Sequence, residues 1–271
     1  LRMSIATHWR ESLRRFCNGG MATANDSQQP ATMIYFASDI HLGSGDKKAQ
    51  RATEQRFVEW LRHIEPTAEV LFLVGDIFDF WFEYKRVVPQ GFVRTLGQLA
   101  HMTDKGIRIV MLTGNHDMWV GKYLTEECGI ELYTTPQLFE LCGKQFYISH
   151  GDNTNIKGQP MLRLMNAFFR SKPLRFIASW IIHPDLFLRF GQWWSGSSRK
   201  AHKTQTDLRY LDPLIEYARG YEDKAVDHFI FGHIHIPHQT NNITFLGNWA
   251  EGCSWAELDD NGSIELKTTK L

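Results

Sequence analysis

An α/β fold is predicted by two features of this sequence. Apolar runs of β character alternate with helical periodicity through the first half of the chain, the rhythm of a layered sheet. Five such runs also end in oxygen and nitrogen donors: Asp39-Ile40-His41, Gly75-Asp76-Ile77-Phe78-Asp79, Gly114-Asn115-His116-Asp117, His150-Gly151-Asp152 and Gly232-His233-Ile234-His235. Strand ends are where α/β sheets build their sites, so one pattern speaks for both fold and function.

Taken in order, residues 1–31 are small and polar and are expected to form a disordered leader without a catalytic role. Met33 to Ser38 is expected as a buried strand, and Lys48 to Glu65 as a helix with Phe57, Leu61 and Ile64 on one face. Val70 to Val74 is the second strand, Gln90 to Thr103 a helix carrying Phe92, Leu96 and Leu99, and Ile107 to Leu112 the third strand. After Tyr123 short strands take over: Glu131 to Thr134, Gln137 to Leu141, and Gln145 to Ser149 across the Gly143 turn. Residues 157–203 read as a helix-rich insert, and Thr206 to Arg219 as a surface helix interrupted near its start by Pro213. Strands return at Val226 to Phe231, Ile243 to Leu246, Trp249 to Glu257 and Ser263 to Lys267. Because the donor-bearing segments run from residue 39 to residue 235, residues 32–271 are expected to form one domain.

Composition narrows the function. Thirty Lys plus Arg balance thirty Asp plus Glu, leaving no global field to attract nucleic acid. Cys17, Cys128, Cys142 and Cys253 are widely spaced, with no C-x-x-C pair, which argues for reduced thiols over a zinc knuckle or a disulfide framework. The polar start, with Arg2, Arg10, Arg14 and Arg15, lacks the apolar segment of a secretory signal, so a cytoplasmic location is expected.

The donors themselves point to metal chemistry. Asp39 and His41 are one residue apart, so in an extended segment both lean to the same side and grip one ion. Asp76 has two carboxylate oxygens and is suited to bridge two cations, Asn115 offers a neutral oxygen, and His150, His233 and His235 offer imidazole nitrogens. This mixture suits Mn, Fe or Zn better than Ca or Mg. One ion leaves donors idle, so a dinuclear site is expected, the arrangement that clamps the attacking and leaving oxygens of an in-line displacement at phosphorus. An Asp after a strand is often only a helix cap or turn former, but five such endings together outweigh that reading. His8, His63, His101, His183, His202, His228 and His238 are expected as ordinary core or surface histidines.

In this order the segments resemble the calcineurin-like metallophosphoesterase superfamily, whose pattern is D-x-H, G-D-x-x-D, G-N-H-D, a lone His and G-H-x-H, and the likeness covers residues 33–267. It implies a two-sheet β-sandwich flanked by helices. It further implies Asp39, His41, Asp76 and His235 on one metal and Asp76, Asn115, His150 and His233 on the other. By the same likeness His116 contacts the phosphate or protonates the leaving oxygen, and Asp79 orients its imidazole. Ser38 to Gly43 (SDIHLG), Gly75 to Trp81 (GDIFDFW), the long insert before GHIH and Leu246 to Gly252 (LGNWAEG) are similar, more narrowly, to the UDP-2,3-diacylglucosamine pyrophosphatase family of lipid A synthesis. That likeness implies release of UMP and 2,3-diacylglucosamine 1-phosphate, with manganese as the usual metal. It places substrate contacts at Asn115, His116 and His233 and in the basic cluster Ser198, Arg199, Lys200 and Lys203. The well-known branch of that family carries Arg where this chain has His116.

The insert bears on the substrate. Between Lys157 and Lys203 nine Lys or Arg face one acidic residue, Asp185, among Phe168, Phe169, Phe176, Trp180, Phe187, Phe190, Trp193 and Trp194. Its longest apolar stretch, Phe176 to Ile182, is far shorter than the roughly 20 residues of a spanning helix. Helices that lie in a membrane interface or cover an acyl-chain pocket are expected instead, on the inner face of the inner membrane. A capping subdomain or dimer contact would use similar residues. Two other functions compete: a generic dinuclear-metal phosphodiesterase or phosphatase, and a non-catalytic scaffold, against which the complete donor set counts.

Overall fold

The computed structural model describes residues 32–84, 86–152, 207–222, 225–250 and 252–269, with positions 171, 180, 183–186, 188, 189, 191 and 196 of the insert. The expected leader, residues 1–31, and most of the insert lie outside the described residues. In chain order the strands and helices are β1 (Met33–Ala37), α1 (Lys47–Ile64), β2 (Ala68–Val74), α2 (Val93–Asp104), β3 (Arg108–Leu112), α3 (Tyr123–Cys128) and β4 (Glu131–Tyr133). They continue with β5 (Gln137–Leu141), β6 (Lys144–Ser149), α4 (Asp212–Arg219), β7 (His228–Phe231), β8 (His238–Gln239), β9 (Ile243–Phe245), β10 (Cys253–Leu258) and β11 (Ile264–Thr269).

Two sheets result. The first has the order β11-β10-β1-β2-β3-β4, with β1 to β4 parallel and β10 and β11 antiparallel at one side. The second has the order β5-β6-β7-β9-β8, with β6, β7 and β9 parallel. Side-chain alternation along each strand then builds three apolar layers. Ile34, Phe36, Val70, Phe72, Val110 and Leu112 point inward and meet Phe146, Ile148 and Ile230 of the second sheet. The alternate residues Tyr35, Ala37, Leu71, Leu73, Ile109 and Met111 pack on Phe57, Trp60 and Leu61 of α1 and on Leu99 and Met102 of α2. The outer face of the second sheet, through Tyr147, Phe229, Phe231 and Phe245, is covered by Leu211, Leu214 and Ala218. Strands buried on both faces are continuously apolar, which is why these runs stand out in the sequence. The expected two-sheet sandwich flanked by helices is therefore what the chain forms.

Local differences have local causes. The helix expected from Gln90 begins three residues later, because Phe92 takes a left-handed backbone, φ 58°, before the first helical residue. Pro213 does not interrupt a helix; it sits in the first turn of α4, where a missing N–H costs nothing, after a 3-10 turn over Leu208–Leu211. Helix α3, closed by the left-handed Gly129, is too short to leave a periodic mark. Helix α1 is capped by Asp46, whose carboxylate accepts from Ala49 N–H at 2.8 Å. Among the described residues no helix is long and apolar enough to cross a membrane.

One core group carries a pH consequence. His228 is 6% exposed, with Nε2 2.9 Å from Thr244 Oγ1. Burial, helped by the Lys144 charge, lowers its pKa from 6.5 to about 4. The folded state thus prefers the neutral ring, and this contribution is complete above pH 6.5 and is lost as pH falls toward 4. It amounts to on the order of 3 kcal/mol. Urea midpoints of the wild type should therefore drop over that window, and His228→Gln should flatten the drop; equal slopes would refute the assignment.

Candidate metal centre

Parallel β1, β2 and β3 lie side by side and end at one edge, and parallel β6 and β7 of the facing sheet end beside them. The residues just past those ends are Asp39 with His41, Asp76, Asn115 with His116, His150, and His233 with His235. Asp39, His41, Asp76 and His233 all adopt left-handed backbone, with φ of 54°, 50°, 53° and 65°. Asp39 and His41 therefore do not share an extended segment, as their spacing suggests; tight turns aim both inward. Outside glycine this conformation costs on the order of 1 kcal/mol per residue. Backbone hydrogen bonds hold it, from Asp39 N–H to Gly75 O at 3.1 Å and from His41 N–H to Asp76 O at 3.0 Å.

The donor atoms converge. Asp76 Oδ2 lies 3.3 Å from His150 Nε2, 3.9 Å from His116 Nε2 and 4.0 Å from His41 Nε2. Asp39 Oδ1 lies 3.2 Å from His235 Nε2, and the Nε2 atoms of His41 and His235 are 3.3 Å apart. The ring of His233 stands 5.3 Å from that of His150. Three overlapping sets, Asp39 with His41 and His235, His41 with Asp76 and His116, and Asp39 with Asp76 and His150, each keep their donor atoms within 4.8 Å of one another.

These residues fit divalent cations on three counts. Asp39 Oδ1, Asn115 Oδ1 and His150 Nε2 are buried without a hydrogen-bond partner among the described residues, a costly state unless a cation meets them. The far sides of the ligands are fixed as ligands require: His150 Nδ1–H donates to Val74 O at 2.9 Å, and Asp39 Oδ2 accepts from Ser38 Oγ–H at 2.6 Å and His233 N–H at 2.9 Å. The motif glycines leave no room for a side chain: a Cβ on Gly114 would collide with the Asp76 carboxylate, and one on Gly75, φ 81°, would lie 2.5 Å from His150 Nδ1.

Charge is distributed unevenly. Burial alone would raise the Asp39 carboxyl, but the adjacent His235 imidazole and the His150 charge bring it down to about 2. Asp76 is likewise held well below the usual carboxylate range, its burial outweighed by His150 and His116. Burial opposes charge on His150 as well, yet Asp76 raises it well above an ordinary imidazole. By contrast, burial takes His41 down to about 3 and His233 to about 4, so these rings are neutral donors.

His116 Nδ1 is 3.0 Å from the Asp79 carbonyl oxygen and 3.8 Å from the Asp79 carboxylate, so the backbone of Asp79 makes the closer contact. The Asp79 carboxylate sits between His116 and His41, whose Nδ1 is 3.6 Å away. Asp117, part of the Gly114-Asn115-His116-Asp117 strand end, has a supporting role that the spacing does not reveal: its fully buried carboxylate accepts from Gly114 N–H at 2.7 Å and Ile77 N–H at 2.8 Å, tying the Asn115 turn to the Asp76 turn. Burial, then the Asp76 charge, push its pKa up to about 7. His228 behaves as a core histidine, and His101 faces Glu65 at 3.4 Å on the surface. Cys128 and Cys253 are free thiols, and Cys142 Sγ–H donates to the Asp259 carbonyl oxygen at 3.4 Å. Ser198, Arg199, Lys200 and Lys203 lie outside the described residues.

The family model for calcineurin-like phosphoesterases matches residues 32–237. The chain belongs to that family. Among relatives of this phosphoesterase is a UDP-2,3-diacylglucosamine hydrolase of Porphyromonas gingivalis, 33% identical over 246 residues, which cover 83% of this chain and 94% of that one. Proteins of the same name in Histophilus somni and Pseudomonas aeruginosa are each 28% identical, covering 84% of this chain and 97% and 96% of theirs.

The glycine contacts give this phosphoesterase a direct test. Gly114→Ala should lose bound metal while keeping its circular dichroism. Gly97→Ala, at an exposed position of α2 with open space around its Cβ, should keep its metal. It should also gain about 0.5–1 kcal/mol of stability. Wild-type metal content in Gly114→Ala would show that the turn has slack.

Proposed function

We propose that this phosphoesterase hydrolyses the pyrophosphate of UDP-2,3-diacylglucosamine to UMP and 2,3-diacylglucosamine 1-phosphate. The observation that carries the chemistry is Asp76, a buried carboxylate faced by His41 and His116 on one side and His150 of the other sheet. The substrate follows from relatives that bear its name over nearly their full length. A groove of about 300 Å³ opens beside Asp79, where Leu42, Phe80, Val88, Phe92, Pro184 and Leu188 line it together with the polar Gln90 and Asp185, a mixed lining that suits an amphipathic substrate.

Asp39, His41, Asp76 and His235 are assigned to one divalent ion and Asp76, Asn115, His150 and His233 to the other; so mixed a set suits Mn, Fe or Zn, and the family likeness selects manganese among them. Bound there, the two cations supply Lewis-acid charge to the phosphoryl oxygens. The Asp79 carbonyl can only accept, so His116 Nδ1 carries a hydrogen and Nε2 is left to face the reacting phosphate. There Nε2 can take the proton released by the attacking water and hand it on to the departing oxygen. Overall one water is consumed: its oxygen joins the phosphorus next to uridine, and the bridging P–O bond breaks on that side, its oxygen leaving with the sugar phosphate.

Ser198, Arg199, Lys200 and Lys203 are assigned to the substrate's phosphate and sugar. The exposed Trp180 and Leu186 are assigned to the inner-membrane surface, where the acyl chains of the substrate reside. Incubation with manganese and UDP-2,3-diacylglucosamine, followed by mass analysis, should show UMP. Losing an outer partner of a metal ligand costs about 10–100-fold, so Asp76→Ala, which removes a shared ligand, should cost more than that with the fold intact. Full turnover by metal-replete Asp76→Ala would end the mechanism, and a preference for small soluble diesters would end the substrate assignment.

A further inference from the structure

Leu246 to Gly252 carries part of the family likeness but no part of the reaction above. It connects β9 of the second sheet to β10 of the first. Two adjacent residues of this connection each hold the backbone of a metal ligand. Asn248 Nδ2–H donates to the His235 carbonyl oxygen at 3.0 Å, and Trp249 N–H donates to the Asp39 carbonyl oxygen at 3.2 Å. The Asn248 amide is itself oriented, because its Oδ1 accepts from Ala250 N–H at 3.0 Å, and the residue is only 7% exposed. Gly247, φ 74°, lies so close to Pro237 that a Cβ would come within 2.9 Å of the proline ring, which presses this turn onto the chain just past His235.

The bond matters because of where His235 stands. Its side chain is 22% exposed, against 0% for Asp39, 5% for His41 and 1% for His150, so packing constrains it least. Yet Asp39 and His235, from different sheets, bring Oδ1 and Nε2 within 3.2 Å. We propose that Asn248 is a positioning residue that fixes the gap between His235 and Asp39, and so sets the affinity for the ion assigned to Asp39, His41, Asp76 and His235. This rests on the two-ion reading above.

Manganese stoichiometry and affinity of the full chain, by mass spectrometry of bound metal and titration calorimetry, test it alongside circular dichroism. The wild type should take up two ions. Asn248→Ala and Asn248→Leu should bind one of them about 10–100-fold more weakly. Ser254→Ala removes a hydroxyl that lies 2.5 Å from Leu246 O and 3.3 Å from Asn248 O in the same turn but leaves the Asn248 side-chain amide and its bond to His235 in place; it should lower stability and leave manganese binding unchanged. In a His235→Ala background, Asn248→Ala should add no further loss, since both changes act on one ion. The proposal is overturned if both Asn248 variants bind two ions as the wild type does, if the loss persists undiminished beside His235→Ala, or if both variants fail to fold. A wild type that takes up no manganese would instead sink the two-ion reading itself.

Discussion

A buried carboxylate must be met by cations or by hydrogen bonds, and Asp76 is where this chain concentrates that demand. At 1% exposure, its Oδ1 accepts from His116 N–H at 2.8 Å while Oδ2 turns toward three imidazoles. Every other part of the site answers to this atom pair. Asp117 holds the turn on which Asp76 sits, Gly114 clears space for its oxygens, and β6 brings His150 across from the facing sheet.

Such a cluster needs a rigid frame, because two neighbouring buried carboxylates repel one another and the raised His150 offsets only part of their charge. The frame is the sandwich. Its middle layer, with Phe36 stacked on Phe72 at 5.0 Å, fixes the spacing of the sheets, and the helices over the first sheet fix the other face. Hydrogen bonds then stitch the two edges directly, from His150 to Val74 and from His233 to Asp39. The geometry of the donors is thus set by packing some distance away.

How legible this was in the sequence depends on the length of the interaction. Strands buried on both faces are continuous apolar runs, so Met33–Ala37, Ala68–Val74 and Arg108–Leu112 declare themselves, and the donors that follow are found by looking one or two residues further. What stays hidden are residues whose partner is a backbone atom distant in sequence. Asp117 reaches Ile77 across 40 positions and Asn248 reaches His235 across 13, and neither bond leaves a periodic trace. Backbone handedness is equally silent: nothing in Asp39-Ile40-His41 distinguishes a pleated strand from the two left-handed turns it adopts.

Those turns have an evolutionary side. Glycine and asparagine rest in left-handed backbone more easily than aspartate or histidine, yet positions 39, 41, 76 and 233 carry side chains with metal-donor atoms. Selection for thermal endurance and selection for turnover therefore pull in opposite directions at the same four places. A hardier descendant of this protein would have to find its extra stability elsewhere in the sandwich, or surrender its chemistry to obtain it.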